Sequence, residues 1–285
     1  MDISTIGVVG TGQMGCGIAH VFATAGFQVI LQDLSHDSLG KAMAAIEHSL
    51  LRALEKGKLS NPEMLAAMGR IRTSNSMGDF KDADFVVEAG PEHWETKKQF
   101  FETLDLLCRP GTILATSTGS ISITRLASQT KRPECVIGMH FLHPVPVMPL
   151  VEIVRGLATS DATCATVSSL SERLDKTPVP CNDSPGFISN RLLMPMINEA
   201  IFALEEGVAE VPAIDTIMRL GMNHPMGPLA LADLLGLDVC LASLQMLHES
   251  FGDPKYRPCP LLCRYVAAGW LGKRAGRGFY DYSGV

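Results

Sequence analysis

The chain has 285 residues, 46% of them hydrophobic and 19% charged, which excludes a disordered chain and leaves room for two domains. Its net charge of −6 argues against a nucleic-acid partner, since a phosphate backbone calls for a basic face. Eight cysteines are scattered with no CxxC pair, which reads as reduced thiols and no structural metal site.

The first element predicted is a strand, Ile6-Gly7-Val8-Val9, running into Gly10-Thr11-Gly12-Gln13-Met14-Gly15. A helical pattern follows through Ala25, then a second strand, Phe27 to Gln32, ending on Asp33. Strand, glycine loop, helix, strand and acid follow one another in the length of one βαβ unit. The three glycines serve different ends. Gly10 allows the tight turn, Gly12 close backbone approach, and Gly15 helix-on-sheet packing. Gln13 and Met14 open the helix, whose N-terminal amides suit a pyrophosphate. Asp33 stands where a carboxylate accepts hydrogen bonds from ribose hydroxyls and repels a 2′-phosphate. With no arginine in Leu34-Ser35-His36, the loop points to NAD rather than NADP.

Residues 37–68 read as two helices broken near Gly57-Lys58. Strands are predicted at Ile71-Thr73, Phe85-Glu88, Thr112-Thr116, Val136-His140 and Leu150-Val154, with a helix at Glu95-Cys108. A helix at Thr163-Asp175 and a strand at Val179-Cys181 close this half. The alternation is that of a Rossmann-type, doubly wound, mostly parallel α/β sheet. Asn182-Asp183-Ser184-Pro185-Gly186 is turn chemistry, and the remainder reads as helices at Phe187-Glu206, Val211-Leu220, Leu229-Glu249 and Leu261-Ala268. The expected division is therefore 1–184 and a smaller all-α domain, 185–285. The apolar character of that domain suits its own core and a homodimer interface. The early first strand leaves no room for a secretory leader, and apolar stretches are interrupted by polar residues. The expectation is a cytoplasmic protein without a membrane span.

Polar residues at strand carboxyl ends are candidates for chemistry. They are Asp33, Glu88 and Glu92, Ser117 with Thr118, and His140. An imidazole at 140 suits proton transfer from an alcohol. Glu152, twelve residues on inside an apolar strand, is costly unless paired, and the imidazole would satisfy it. Position alone equally allows a hydrogen-bonded histidine and an edge carboxylate facing water. Asn190 follows the Pro-Gly turn, where an amide either donates to an oxyanion or caps the helix locally. Arg52, Lys56 and Lys58 suit an anionic substrate or form a solvated face.

These runs together resemble one family. Val136-Ile137-Gly138-Met139-His140-Phe141, Pro144-Val145-Pro146-Val147-Met148 and Leu150-Val151-Glu152 resemble the catalytic strand region of the L-3-hydroxyacyl-CoA dehydrogenases. Asp183-Ser184-Pro185-Gly186-Phe187-Ile188 with Asn190-Arg191-Leu192, Asn223-His224-Pro225-Met226-Gly227-Pro228 and Gly276-Arg277-Gly278-Phe279-Tyr280 fit as well. The likeness covers essentially the whole chain and is greatest to short bacterial 3-hydroxybutyryl-CoA dehydrogenases. It implies NAD-dependent oxidation of a 3-hydroxyacyl thioester, with His140 as base, Glu152 as its partner and Asn190 on the substrate side. It places Glu92, Lys97 and Arg274 near NAD, and Ser49 and Lys56 near coenzyme A.

Two departures stand out. The family reads Ser-Asn-Thr-Ser-Ser where this chain has Thr116-Ser117-Thr118-Gly119-Ser120, so its catalytic serine is Gly119 here. The family's His-Phe-Phe-Asn-Pro is His140-Phe141-Leu142-His143-Pro144, so a cofactor- and substrate-side asparagine is His143. Ser117, Ser120 or His143 could supply the missing hydrogen bond. Alternatively, the substrate brings a polar group of its own, as a hydroxylated acyl chain on an acyl carrier protein would. A third alternative is a catalytically weak relative that binds NAD.

Overall fold

Strand β1 (Thr5–Val9) is buried from Ile6 onward, with no alternation between faces. That is the burial of a strand covered by helices on both sides. The computed structural model describes residues 3–284. After β1 come α1 (Gln13–Thr24), β2 (Gln28–Gln32), α2 (His36–Glu55) and α3 (Asn61–Gly69). The Ser35 hydroxyl caps α2, and Ser60 with Glu63 forms a reciprocal capping box on α3. The break between the two helices falls at Gly57, which has a positive φ.

Then follow β3 (Ile71–Ser74), β4 (Phe85–Glu88), α4 (Trp94–Leu107), β5 (Ile113–Thr116), α5 (Ile123–Ala127), β6 (Val136–Phe141), β7 (Leu150–Arg155), α6 (Asp161–Arg173) and β8 (Thr177–Asn182). They form one sheet in the order β3-β2-β1-β4-β5-β6-β7-β8. Strands β1 to β6 run parallel to one another, β7 is antiparallel to β6, and β8 parallel to β7. The Rossmann-type expectation holds, with the order reversing between β1 and β4, the crevice where such sheets bind ligands. Ile6, Val8, Leu31, Phe85 and Val87 carry the core under Phe22 of α1. β8 runs longer than the three residues expected from sequence. Pro178 and Pro180 lie within it, which an edge strand tolerates because its outer side needs no ladder donors.

The chain divides into two compact units, Met1–Ser184 and Pro185–Val285. The second contains α7 (Ser189–Glu205), α8 (Val211–Gly221), α9 (Pro228–Leu235), α10 (Leu237–Phe251) and α11 (Pro260–Ala267). Met194, Ile197, Leu229, Leu237, Leu244 and Leu247 form its core. The helix expected over Leu229–Glu249 is two helices, bent by 98°. Gly236 makes the break with φ +104°, a conformation closed to L side chains. Asp215 of α8 accepts the backbone N–H groups of Leu229 and Ala230, each at 2.9 Å, capping α9 from outside. Asp233 of α9 accepts the backbone N–H groups of Phe279 and Tyr280 and the Tyr282 hydroxyl, fastening the C-terminal strap to the helices. Burial holds its carboxyl above the usual range despite those donors. Among the described residues no single helix is long and apolar enough to cross a membrane.

Candidate active site

The glycine loop is shaped by contact. At Gly10, φ is +95° and an added Cβ would lie 2.8 Å from the Ala89 carbonyl oxygen. At Gly15 it would lie 2.0 Å from the Gly10 oxygen, so no side chain fits between helix and turn. Gly12, the N-cap of α1, would meet nothing within 4 Å. Its side of the loop is open to a ligand, and no side chain caps the first-turn amides. Gln13 is exposed there, while Met14 packs against the core. Thr11 donates its hydroxyl proton to Asp33 at 2.6 Å, and the Ser35 N–H reaches the other carboxylate oxygen at 3.1 Å. Loop and acid are thereby tied into one cradle, with no cation among the three residues that follow the acid. These residues fit NAD.

The next strand ends supply a buried ionic chain. Glu88 accepts from Lys97 through both oxygens at 2.9 and 2.8 Å, from the Gly90 N–H at 2.6 Å and from the Thr116 hydroxyl at 2.8 Å. Lys97 is 1% exposed, and its ammonium also lies 3.4 Å from Glu92. The lysine therefore braces Glu88, the Gly90 carbonyl and Glu92 from inside. Glu92 accepts the hydroxyls of Thr118 and Ser120 and the Ser120 N–H at 3.1 Å. Burial opposes its charge, but the Lys97 ammonium and the two hydroxyls outweigh burial and hold the carboxyl below the usual range. The Ser120 hydroxyl proton is thus committed to Glu92, which removes it as the donor substituting at Gly119. Ser117 is half-buried, its N–H on the Glu88 carbonyl at 2.8 Å.

His140 and Glu152 face each other on one rung of the β6–β7 ladder. Imidazole Nδ1 lies 2.7 Å from Glu152 Oε2, with the residues 8% and 3% exposed. A carboxylate at Nδ1 selects the tautomer protonated there and leaves Nε2 as the basic nitrogen.

A cavity of about 480 Å³ lies between α1, α2 and the loop joining β6 to β7. One face of α2 contributes Lys41, Ser49 and Arg52, and the loop contributes His143 to Pro146. Lys56 lies just beyond, exposed at the C-cap of α2. His20 of α1 lines the cavity too. Burial, helped by the Lys176 charge, pushes its pKa down to about 4, so the ring is neutral. Sequence reasoning missed His20, Lys41 and Lys176. The spacing of Lys41, Ser49 and Arg52, eight and then three residues apart, is a helical stripe that could have marked the α2 wall.

In the second unit, Asn190 stands in the first turn of α7, earlier than the full turn expected from sequence. Ile188 is the N-cap, so Asn190 is not the capping residue. Arg274 sits in a single 3-10 turn, Lys273–Ala275, and is ion-paired with Asp238 at the start of α10.

Comparison with known proteins agrees across the chain. Residues 5–184 match the family described as 3-hydroxyacyl-CoA dehydrogenase, NAD binding domain, and residues 186–282 match its C-terminal domain. The chain belongs to the 3-hydroxyacyl-CoA dehydrogenase family. The 3-hydroxybutyryl-CoA dehydrogenase of Bradyrhizobium diazoefficiens is 51% identical over 99% of this chain and 97% of its own length. That of Clostridioides difficile is 46% identical over 98% and 99%. The crystal structure of (S)-3-hydroxybutyryl-CoA dehydrogenase from Ralstonia eutropha superposes with a TM-score of 0.96 at 48% identity, covering 99% of both chains. As a member of this family the chain is an NAD-dependent oxidoreductase. The glycine loop and Asp33 form part of the family's NAD-binding domain.

Proposed function

We propose that the protein oxidises a 3-hydroxyacyl thioester of the 3-hydroxybutyryl-CoA class to the 3-ketoacyl thioester, reversibly. The observation that carries this reading is the His140–Glu152 pair, 2.7 Å apart at the ligand-binding edge of an NAD-binding sheet. Bound NAD supplies the two-electron acceptor for the oxidation. His140, through Nε2, takes the proton of the 3-hydroxyl, and Glu152 stabilises the imidazolium that results. In the reduction the same imidazolium returns the proton. Asn190 is assigned to the substrate side by its place in the family motif. Arg274 is assigned to the cofactor on the same ground.

The α2 wall suits the arm of the thioester. Ser49 offers a hydroxyl to an amide, while Lys41, Arg52, Lys56 and Lys58 supply exposed cations for phosphates. An acyl carrier protein delivers the same pantetheine arm, and this basic stretch suits its acidic surface equally. The second unit exposes Ile217, Leu220 and Met222 on and beside α8, a patch that supports a homodimer. Every cysteine is free, in keeping with a reducing, cytoplasmic setting.

The test is NADH formation by the purified protein with NAD and L-3-hydroxybutyryl-CoA. Turnover of at least ~1 per second establishes the CoA thioester as substrate. Turnover only on a carrier-bound thioester moves the reading to that carrier. NAD binding without turnover on either overturns it.

A further inference from the structure

Between α6 and β8 stands an ammonium that the chemistry above does not use. Lys176 is 7% exposed, and Nζ donates to the carbonyl oxygens of Val145 at 2.7 Å and Met148 at 2.8 Å. A charge is held in such a place only where strong acceptors offset its lost hydration. Both acceptors belong to the loop at 142–149, which contains Pro144, Pro146 and Pro149 and is correspondingly short of N–H donors. The Lys176 ammonium supplies what the prolines cannot. On the other side the loop meets α1: a Cβ on Gly17 would lie 2.8 Å from Cβ of Val145. Val145 is thus gripped between a helix that leaves out a side chain and a buried cation. The segment so held, His143 to Pro146, is one wall of the cavity and begins three residues after His140.

We propose that Lys176 is the positioning residue of that wall: it fixes the backbone of the 142–149 loop and thereby sets His143 against the thioester arm. The inference rests on the thioester reading given above. Lys176 itself does not line the cavity. Burial weakens its hold on the proton, with Asp175 opposing; burial, helped by the same charge, keeps neighbouring His20 neutral.

Lys176→Gln, His143→Ala, their double variant and Gly17→Ala form the test, each checked for fold by circular dichroism. Lys176→Gln is expected to raise KM for the thioester about tenfold. In the His143→Ala background that increase should largely vanish, because a residue acting through His143 has nothing left to place. A folded Lys176→Gln with wild-type thioester KM overturns the proposal, as does full additivity in the cycle. Should Lys176→Gln fail to fold, Gly17→Ala decides. It pushes Val145 from the opposite side, and an unchanged thioester KM there overturns the proposal equally. If the wild type turns over no hydroxyacyl thioester, the functional reading fails on its own. Loop placement is then read from the His143 imidazole NMR signals of the ligand-free protein, which Lys176→Gln or Gly17→Ala must shift.

Discussion

Glu152 would be an expensive residue inside a sheet if His140 did not stand across the ladder from it. Each explains the other, and each can be removed separately. His140→Ala should lower kcat by about 10²–10⁴-fold, the usual share of a general base, while the NADH Kd measured by fluorescence titration stays as in the wild type. Glu152→Gln should cost at least ~10²-fold in kcat, because an amide no longer demands the productive tautomer. Asp33→Ala should weaken NAD about tenfold and narrow the preference over NADP, read as the ratio of the two kcat/KM values. These residues were legible in the sequence because each is a polar group closing or interrupting an apolar run. Lys176 and His20 were not. One is the single residue before β8 and the other lies amid Ile18-Ala19 and Val21-Phe22 on a helix, and only the tertiary fold brings them together. The Ser120 hydroxyl was legible as a donor, but its engagement by Glu92, 28 residues away, was not.

Among the elements, the glycine loop separates folding from binding. Gly12→Ala adds a methyl group to open space, so its stability to denaturant should match the wild type while NAD binding weakens. Gly15→Ala drives a carbon to 2.0 Å from the Gly10 oxygen, and should lower stability by several kcal/mol, about 3 or more. Chemical denaturation monitored by circular dichroism measures both. The strands were legible as short β-branched runs ending in turn residues. The corner between α9 and α10 was hidden because Leu234-Leu235-Gly236-Leu237 continues the apolar pattern, and one glycine in such a run is compatible with an unbroken helix. What makes the corner is the positive φ of Gly236, a backbone state that the apolar pattern does not announce.

Taken whole, the molecule should lose stability in mild acid. His20 holds its pKa near 4 when folded, against an ordinary imidazole value near 6.5. Between those values the unfolded chain binds the extra proton, so this contribution is complete above pH 6.5 and drains away as pH falls toward 4. It amounts to at most about 3 kcal/mol, and His20→Gln should flatten the fall of Tm across that interval. The whole-chain architecture was the most legible feature of all, because alternating runs followed by a solid helical third leave few topologies. The reversal at β7 has a further consequence. Parallel strands are joined by crossovers of a dozen or more residues, but β6 and β7 run in opposite directions and are joined by a surface loop. His140 and Glu152 meet because they share a rung, whatever path the chain takes between them. The loop that walls the cavity can therefore be repositioned without displacing the His140–Glu152 pair. Changes at its exposed positions should alter the grip on the thioester arm and leave the rung shared by His140 and Glu152 as it is.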